Sequence, residues 1–537
     1  MRKYGEAGWS KIQEQHPEVH IKNGSIRGFC RNHNAVFLGI PYGENCDGEG
    51  RFKAPKPVGD WLGVRDCTQY GTIAMQEQMD TAILPEQMKN VIKEYSDVFT
   101  GGIPFDKLQE KPGENCLCLN VVTPGIDSKS RPVWVYIHGG GYMSGSGGVT
   151  SAISDRLLDE EDLVLITVNH RLNVFGALYL GELDEEYRES GIVTQLDLLL
   201  ALRWIRENIG VFGGDPNNVT LIGESGGGMK IHHLLAMPES KGLFERAIVI
   251  SGSIPVAAKS PKEGMAETDI VLKKLGLERK DWRELLTLPA AKLLSATQGM
   301  ELILPDGTPF MPTADGIRMP YNPDGIYRVC HETADIPVII GSSEEELASN
   351  ILNPLLTWEA LREQLLKKEN SLLSTMPGLN ETNVDEVISI FREACGDSKQ
   401  PWQILAHITS VAHFLGGGGY LASIARAQVG APTWHYTTTY DTTLPGTGIL
   451  TCAWHTADLP LAFRAVYHRE AEELSKTIAH SFAAFARHGS PETVGQQWPM
   501  FTLEGKETML FDERSEWKSE PFREIYAIMK KICPAFE

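Results

Sequence analysis

The chain has 537 residues, 42% of them apolar and 22% charged, with a formal net charge of -20. These are the proportions of an ordinary soluble globular protein, long enough to bury a large core without covalent staples. The negative charge argues against nucleic acid or an anionic membrane surface as partner.

Near the N-terminus, "EVHIKNGSIRGFC" and "AVFLGIPYG" alternate around turn residues and read as antiparallel strands. A stretch from about residue 75 to 112 reads as an insertion with little strand character. "RPVWVYIHGGG" is a strand ending in glycines, and "LVLITVNHRL" is a buried strand. "LDLLLALRWIRENIGVF" is a strongly apolar helix, stopped by "GGDP". "NVTLIGES" is a strand, "KIHHLLAM" continues a helix, and "FERAIVISGS", "ADIPVIIGSSEEE" and "APTWHYTTTY" are later strands. The segments at about 258–327 and 347–430 read as largely helical. Strands alternating with helices imply an α/β fold: a mostly parallel sheet with helices on both faces and large helical insertions. The chemical signals span Gly139 to His455, so residues 1–537 are taken as one elaborated domain.

Ser225 lies in Gly223-Glu224-Ser225-Gly226-Gly227, a G-x-S-x-G pattern between an apolar strand and a helix. That context is the one a nucleophile elbow requires, with the serine on a sharp turn and strand and helix passing very close. Three successive glycines, Gly226 to Gly228, weaken a helix by about 1 kcal/mol each relative to alanine; glycine at 223 and 227 leaves room for the close approach and accounts for them in part. A phosphate-binding loop is disfavoured because no Gly-Lys-Ser/Thr follows. A serine hydroxyl needs a base, an orienting carboxylate and donors for the developing oxyanion. In "YIHGGGY", Gly139, Gly140 and Gly141 end an early strand, where bare backbone turns N–H groups inward. The N–H of Gly226, the residue after the nucleophile, completes an oxyanion hole of Gly140, Gly141 and Gly226.

"HGGGY", "VNHRLNVFG", "ALRWIRENIGVFGGDPNNVTLIGESGGG" and "ENCLCLNV" resemble the type-B carboxylesterases, the family that includes the cholinesterases, within the α/β-hydrolase fold. The resemblance runs from about residue 39 to 463. It implies a Ser-Glu-His triad in that chain order, acting on a small-molecule carboxylic ester with no cofactor and no metal. The family's acid pattern, with its glycine set on Gly341, puts the catalytic glutamate at Glu346. Glu344 and Glu345 remain alternatives, and Leu347 replaces the family's following glycine. "GILTCAWHTADLPLAF" resembles the family's histidine loop and points to His455. His407 and His413, in the apolar helical stretch "WQILAHITSVAHFL", read as packing residues, and His435 lies within a strand. The nucleophile helix carries His232 and His233 away down its length.

The chain departs from the family in several places. Secreted relatives join the cysteine of "CLCLN" to an upstream one; Cys116 is present, but Ala74 stands at the upstream place, and Cys67 is displaced. A second loop, usually bridged, reads "LGLERKDWRELLTLPA" without cysteine. The nine cysteines (Cys30, Cys46, Cys67, Cys116, Cys118, Cys330, Cys395, Cys452 and Cys533) show no paired zinc spacing. "MRKYGEAGWSKIQEQHPEVHI" has no apolar signal core. The expectation is a cytoplasmic enzyme with no membrane span, in which Asn-x-Ser/Thr at Asn23, Asn218 and Asn380 is accidental. No tryptophan lies between Cys67 and Cys116, so the aromatic face a choline cation needs is missing from that loop. Gly226 stands where the family usually has alanine. Two other uses of the machinery remain open: thioester or lactone opening, acyl transfer or cyclisation, and a catalytically silent binding protein of the kind some relatives are.

Overall fold

The computed structural model describes residues 12–13, 16–77, 110–148, 154–252, 258–300, 309–321, 329–367, 373, 376–396, 398–443, 447, 450–466 and 469–533. Most of the insertion expected at 75–112 lies outside them. Twelve strands form one large sheet: β1 (Ile12–Gln13), β2 (Phe29–Arg31), β3 (Asn34–Pro41), β4 (Cys118–Thr123), β5 (Arg131–Ile137), β6 (Val164–Val168), β7 (Gly214–Glu224), β8 (Arg246–Ile250), β9 (Val338–Ser343), β10 (Thr433–Thr438), β11 (Glu507–Phe511) and β12 (Glu516–Ser519). In space they follow chain order except that β6 and β5 exchange places. The seven strands from β6 through β11 pair parallel, and both flanks are antiparallel. This is the α/β-hydrolase architecture the motifs imply. The sequence pattern does not mark β4, β11 or β12 as strands.

Period-two alternation divides the central strands between two cores. Val133, Val135 and Ile137 of β5 share one core with Val164 and Ile166 of β6 and Val249 of β8. Trp134, Tyr136, Leu165, Ile222 and Ile248 join the other. Helices α1 (Val193–Asn208) and α2 (Gly226–Leu235) cover the first face through Leu196, Leu199, Ile205, Ile231 and Leu234. Taking the remaining labels in chain order, α3 is Val384–Cys395, α4 is Pro401–Ser410 and α5 is Glu472–His488. Helix α5 closes the second face through Leu474, Ile478, Phe482 and Phe485. Strands buried on both sides read as near-continuous apolar runs, which is why β6 and β8 are legible in sequence. Helices α3 and α4 pack with the C-terminal helix Arg523–Ile532 as a separate apolar cluster.

In an open parallel sheet, ligands sit at the carboxyl ends of the strands. Ser225 follows β7, Gly139 to Gly141 follow β5, and Glu344 to Glu346 follow β9, all at that edge.

Candidate active site

Ser225 has φ 52° and ψ -125°, a backbone setting that L-residues rarely occupy, and it caps α2. Strain of this kind, of the order of 1–3 kcal/mol, persists only where the surroundings over-determine it. The surroundings here are the glycines. A Cβ on Gly227 would lie 1.9 Å from the Ile137 carbonyl oxygen, and one on Gly223 would lie 2.5 Å from the carbonyl carbon of Gly227. Strand β7 and helix α2 therefore touch backbone to backbone, and the turn between them lifts the serine to the strand edge.

The imidazole of His455 bridges two partners. Its Nε2 is 2.9 Å from Ser225 Oγ, and its Nδ1 bonds Glu346 Oε2. The second oxygen of Glu346 accepts from the Ser343 N–H at 2.7 Å, which fixes the carboxylate. Glu346 is fully buried, whereas the His455 side chain keeps 25% of its surface, so the relay reaches solvent on the serine side. The ring of Phe414 tilts against His455 at 5.2 Å between centroids.

The two alternative glutamates are placed elsewhere. Glu345 stitches the acid turn to the histidine loop: its N–H donates to Ala453 O at 2.9 Å, and Ala453 N–H donates back to its carboxylate at 2.8 Å. Glu344 points away from His455, toward His407, whose Nδ1 is 4.0 Å from its Oε1. Leu347, where the family has glycine, donates its N–H to Ser410 Oγ at 3.0 Å and so ties the turn to α4.

Burial pushes the pKa of His455 down, but Glu346, Glu224 and Asp458 more than reverse this and hold it up at about 9. Glu224 Oε1 lies 3.4 Å from His455 Nε2. Burial pushes the Glu224 carboxyl up to about 8, against the opposing pull of His455. Asp458, on the helical turn after the histidine, accepts the Tyr436 hydroxyl at 2.8 Å; burial and Glu346 push it up to about 7.

Gly140 and Gly141 take φ 83° and 62°, and their turn closes through Met143 and Ser144 N–H bonds to Gly140 O. The amides of Gly140, Gly141 and Gly226 donate to no acceptor among the described residues. The strap lies directly on Gly226: a Cβ there would be 2.3 Å from Gly141 O and 2.4 Å from Gly141 N. Glycine at this position thus lets the strap settle close against the turn.

Sequence reasoning missed Lys230. This lysine is fully buried in α2 beneath the strap. Its Nζ donates to Gly141 O at 2.8 Å and His138 O at 3.2 Å, and it lies 5.2 Å from the Tyr142 ring centroid. Burial pulls its pKa down to about 7, with Glu224 pulling the other way. The available signal was a single cation inside the apolar stretch "GGGMKIHHLL". His232 and His233 are buried on the same helix; His233 Nδ1 meets the Tyr142 hydroxyl at 2.7 Å, and His435 Nδ1 meets Ser423 at 3.1 Å.

All nine cysteines are free, including Cys67 and Cys116. Among the described residues no helix is long and apolar enough to cross a membrane.

A family model described as the carboxylesterase family matches residues 15–529. The para-nitrobenzyl esterase of Bacillus subtilis is 30% identical over 94% of this chain and 97% of its own length. The phenmedipham hydrolase of Pseudarthrobacter oxydans is 32% identical over 75% of this chain and 74% of its own. Among solved structures, the carboxylesterase EST55 of Geobacillus stearothermophilus superposes with a TM-score of 0.77 at 30% identity, covering 97% of this chain and all of that one. With the elbow, the sheet order and these likenesses in agreement, the chain belongs to the carboxylesterase family and is a carboxylic ester hydrolase.

Proposed function

We propose that Ser225, His455 and Glu346 are the nucleophile, base and orienting acid of this hydrolase, working through an acyl-enzyme on esters of small molecules. The observation that carries this reading is the bridging imidazole, with the serine oxygen 2.9 Å from one ring nitrogen and a buried carboxylate on the other. Ser225 Oγ attacks the ester carbonyl as His455 Nε2 takes its proton. Glu346 holds the Nδ1–H tautomer and stabilises the imidazolium. The amides of Gly140, Gly141 and Gly226 receive the oxyanion. The tetrahedral adduct collapses, the C–O bond to the alcohol breaks, and His455 returns the proton to the leaving oxygen. Water then repeats the sequence on the acyl-serine and releases the acid.

Lys230 is a positioning residue in this scheme. It grips the carbonyls of His138 and Gly141, so the strap's N–H groups stay aimed at the oxyanion. A misplacement of about 1 Å at such a site costs roughly 10²-fold in rate. Lys230→Met should therefore lower kcat by about 10- to 100-fold with KM little changed. Lys230→Ala supplies a smaller control, and near-UV circular dichroism checks the fold. An unchanged kcat in a folded variant removes Lys230 from the mechanism.

Nitrobenzyl and other aryl esters are the first substrates to assay, by analogy with the para-nitrobenzyl esterase. Residues 1–537 work as one domain, since the site draws on segments from Gly139 to His455. Nine free cysteines, several of them buried, support a reduced, cytoplasmic setting. A fluorophosphonate probe tests the assignment: wild type should label at Ser225, and Ser225→Ala should not. Labelling elsewhere, or none in wild type that hydrolyses esters, refutes it.

A further inference from the structure

The sequence offered no metal site, because the cysteine spacings match none of the local zinc patterns. Tertiary structure brings together three donors that lie far apart in the chain. Glu344 is the first residue after β9, Cys395 is the last residue of α3, and His407 lies within α4. One carboxylate oxygen, the thiol sulfur and one ring nitrogen all lie within 4.8 Å of one another. Cys395 Sγ is 2.7 Å and Glu344 Oε1 is 4.0 Å from the same atom, His407 Nδ1.

We propose that Glu344, Cys395 and His407 bind one divalent transition-metal ion of the zinc class, open on its fourth side to a surface cleft.

The direction of approach separates this cluster from a second catalytic relay. In a relay the carboxylate and the nucleophile occupy opposite nitrogens of the imidazole, as Glu346 and Ser225 do at His455. At His407 both face Nδ1, and the buried Nε2 meets no hydrogen-bond partner among the described residues. Donors that converge on one point suit an ion. A thiolate, an imidazole and a carboxylate make up a borderline-soft set, which favours zinc, cobalt or nickel over magnesium or calcium. The expected metal–ligand distances, about 2.3 Å to sulfur and about 2.0–2.2 Å to nitrogen and oxygen, require the thiol and imidazole to part by less than about 1 Å. Cys395 is half-buried on the exposed turn at the end of α3 and has room for that movement.

Burial and access point the same way. Glu344 is buried, with 6% of its surface exposed. The neighbouring cation, Lys399, already serves Glu345 at 3.0 Å and Asp441 at 2.8 Å. A cleft of about 680 Å³, lined by Glu344, Cys395, Lys399, Asp441 and Asp512, provides an entry path and space for a water ligand. Binding replaces the thiol proton: the sulfur–hydrogen bond breaks, a sulfur–metal bond forms, and one proton goes to solvent. The ion would tie the acid turn, which also carries Glu346, to α3 and α4.

The test uses the full chain, stripped with a chelator and titrated with Co²⁺. One equivalent should produce the near-ultraviolet thiolate-to-cobalt absorption, Zn²⁺ should bleach it, and the thermal midpoint should rise. Cys395→Ser, a near-isosteric change at a half-buried position, should lose the absorption and the thermal shift; Glu344→Gln should weaken Co²⁺ binding at least 10-fold. Absence of the band at one equivalent, or its persistence in Cys395→Ser, means a simple thiol–imidazole hydrogen bond and overturns the site. None of these readouts depends on ester hydrolysis, so failure here leaves the Ser225 assignment standing, and the reverse also holds.

Discussion

Replacing Ser225 with alanine should lower kcat on an activated aryl ester by about 10⁶-fold while leaving the protein folded. The magnitude follows from the way the relay operates. Without the hydroxyl there is no acyl-enzyme, and the remaining parts catalyse only direct attack by water, aided by the oxyanion amides. Ser225→Ala and His455→Ala should be comparably inactive, and the double variant should be no worse than either, because the two groups act as one unit. The elbow itself should survive, since Gly223 and Gly227 impose the backbone geometry. Steady-state kinetics with a burst-phase assay measures this, and near-UV circular dichroism confirms the fold. A folded Ser225→Ala enzyme within about 10²-fold of wild type would falsify the nucleophile, because losing one oxyanion donor alone costs that much.

The second large effect concerns Glu346 and pH. His455 accepts a proton only when neutral, so activity should rise as pH climbs through its pKa. From sequence, the expectation is an ordinary histidine midpoint. In the structure Glu346, Glu224 and Asp458 outweigh burial and hold that pKa up at about 9. The acid limb of the kcat/KM profile should therefore be centred well above the usual 6.5. Glu346→Gln removes the strongest of the three supporting charges, so the midpoint should move down. The plateau should fall by about 10⁴-fold, because an amide no longer favours the reactive tautomer. Stability runs in the opposite sense. A group whose pKa is raised on folding contributes stability in full below its unfolded value near 6.5, and that contribution is lost as pH rises through about 9. The thermal midpoint attributable to this pair should thus decline over the same window in which activity appears. A flat rate profile from pH 5 to 9, or wild-type rates in Glu346→Gln, would remove the carboxylate–imidazole pair from the mechanism.

Much of the fold was legible because its requirements are local. Strands buried on both faces must be apolar runs, so β6, β8 and β9 stand out in the sequence. The late strands β11 and β12 did not, since β12 is exposed along its whole length and carries no apolar pattern. The elbow was legible in part for the same reason: the space at Gly223 is set by Gly227 and Gly228, within a few residues of Ser225, although Gly227 itself is confined by Ile137 of another strand. Gly226 was visible as an N–H donor, but its steric role was not, because the atoms that would meet a Cβ belong to Gly141, which follows a different strand.

By itself the sequence determined the fold class, the glycine-rich turn at Ser225, the glycine strap and the loops that carry Glu346 and His455, since each is written in a short run of residues. The family resemblance pointed to Glu346, and tertiary structure places its carboxylate, rather than that of Glu344 or Glu345, on the His455 imidazole. These three neighbours leave one turn in different directions, toward His407, Ala453 and His455, and no pattern of adjacent identical side chains encodes that divergence. The same holds for Lys230 under the strap and for Cys395 beside His407. Their partners come from elsewhere in the chain, and the low-dielectric burial that tunes each group exists only once those segments have packed together.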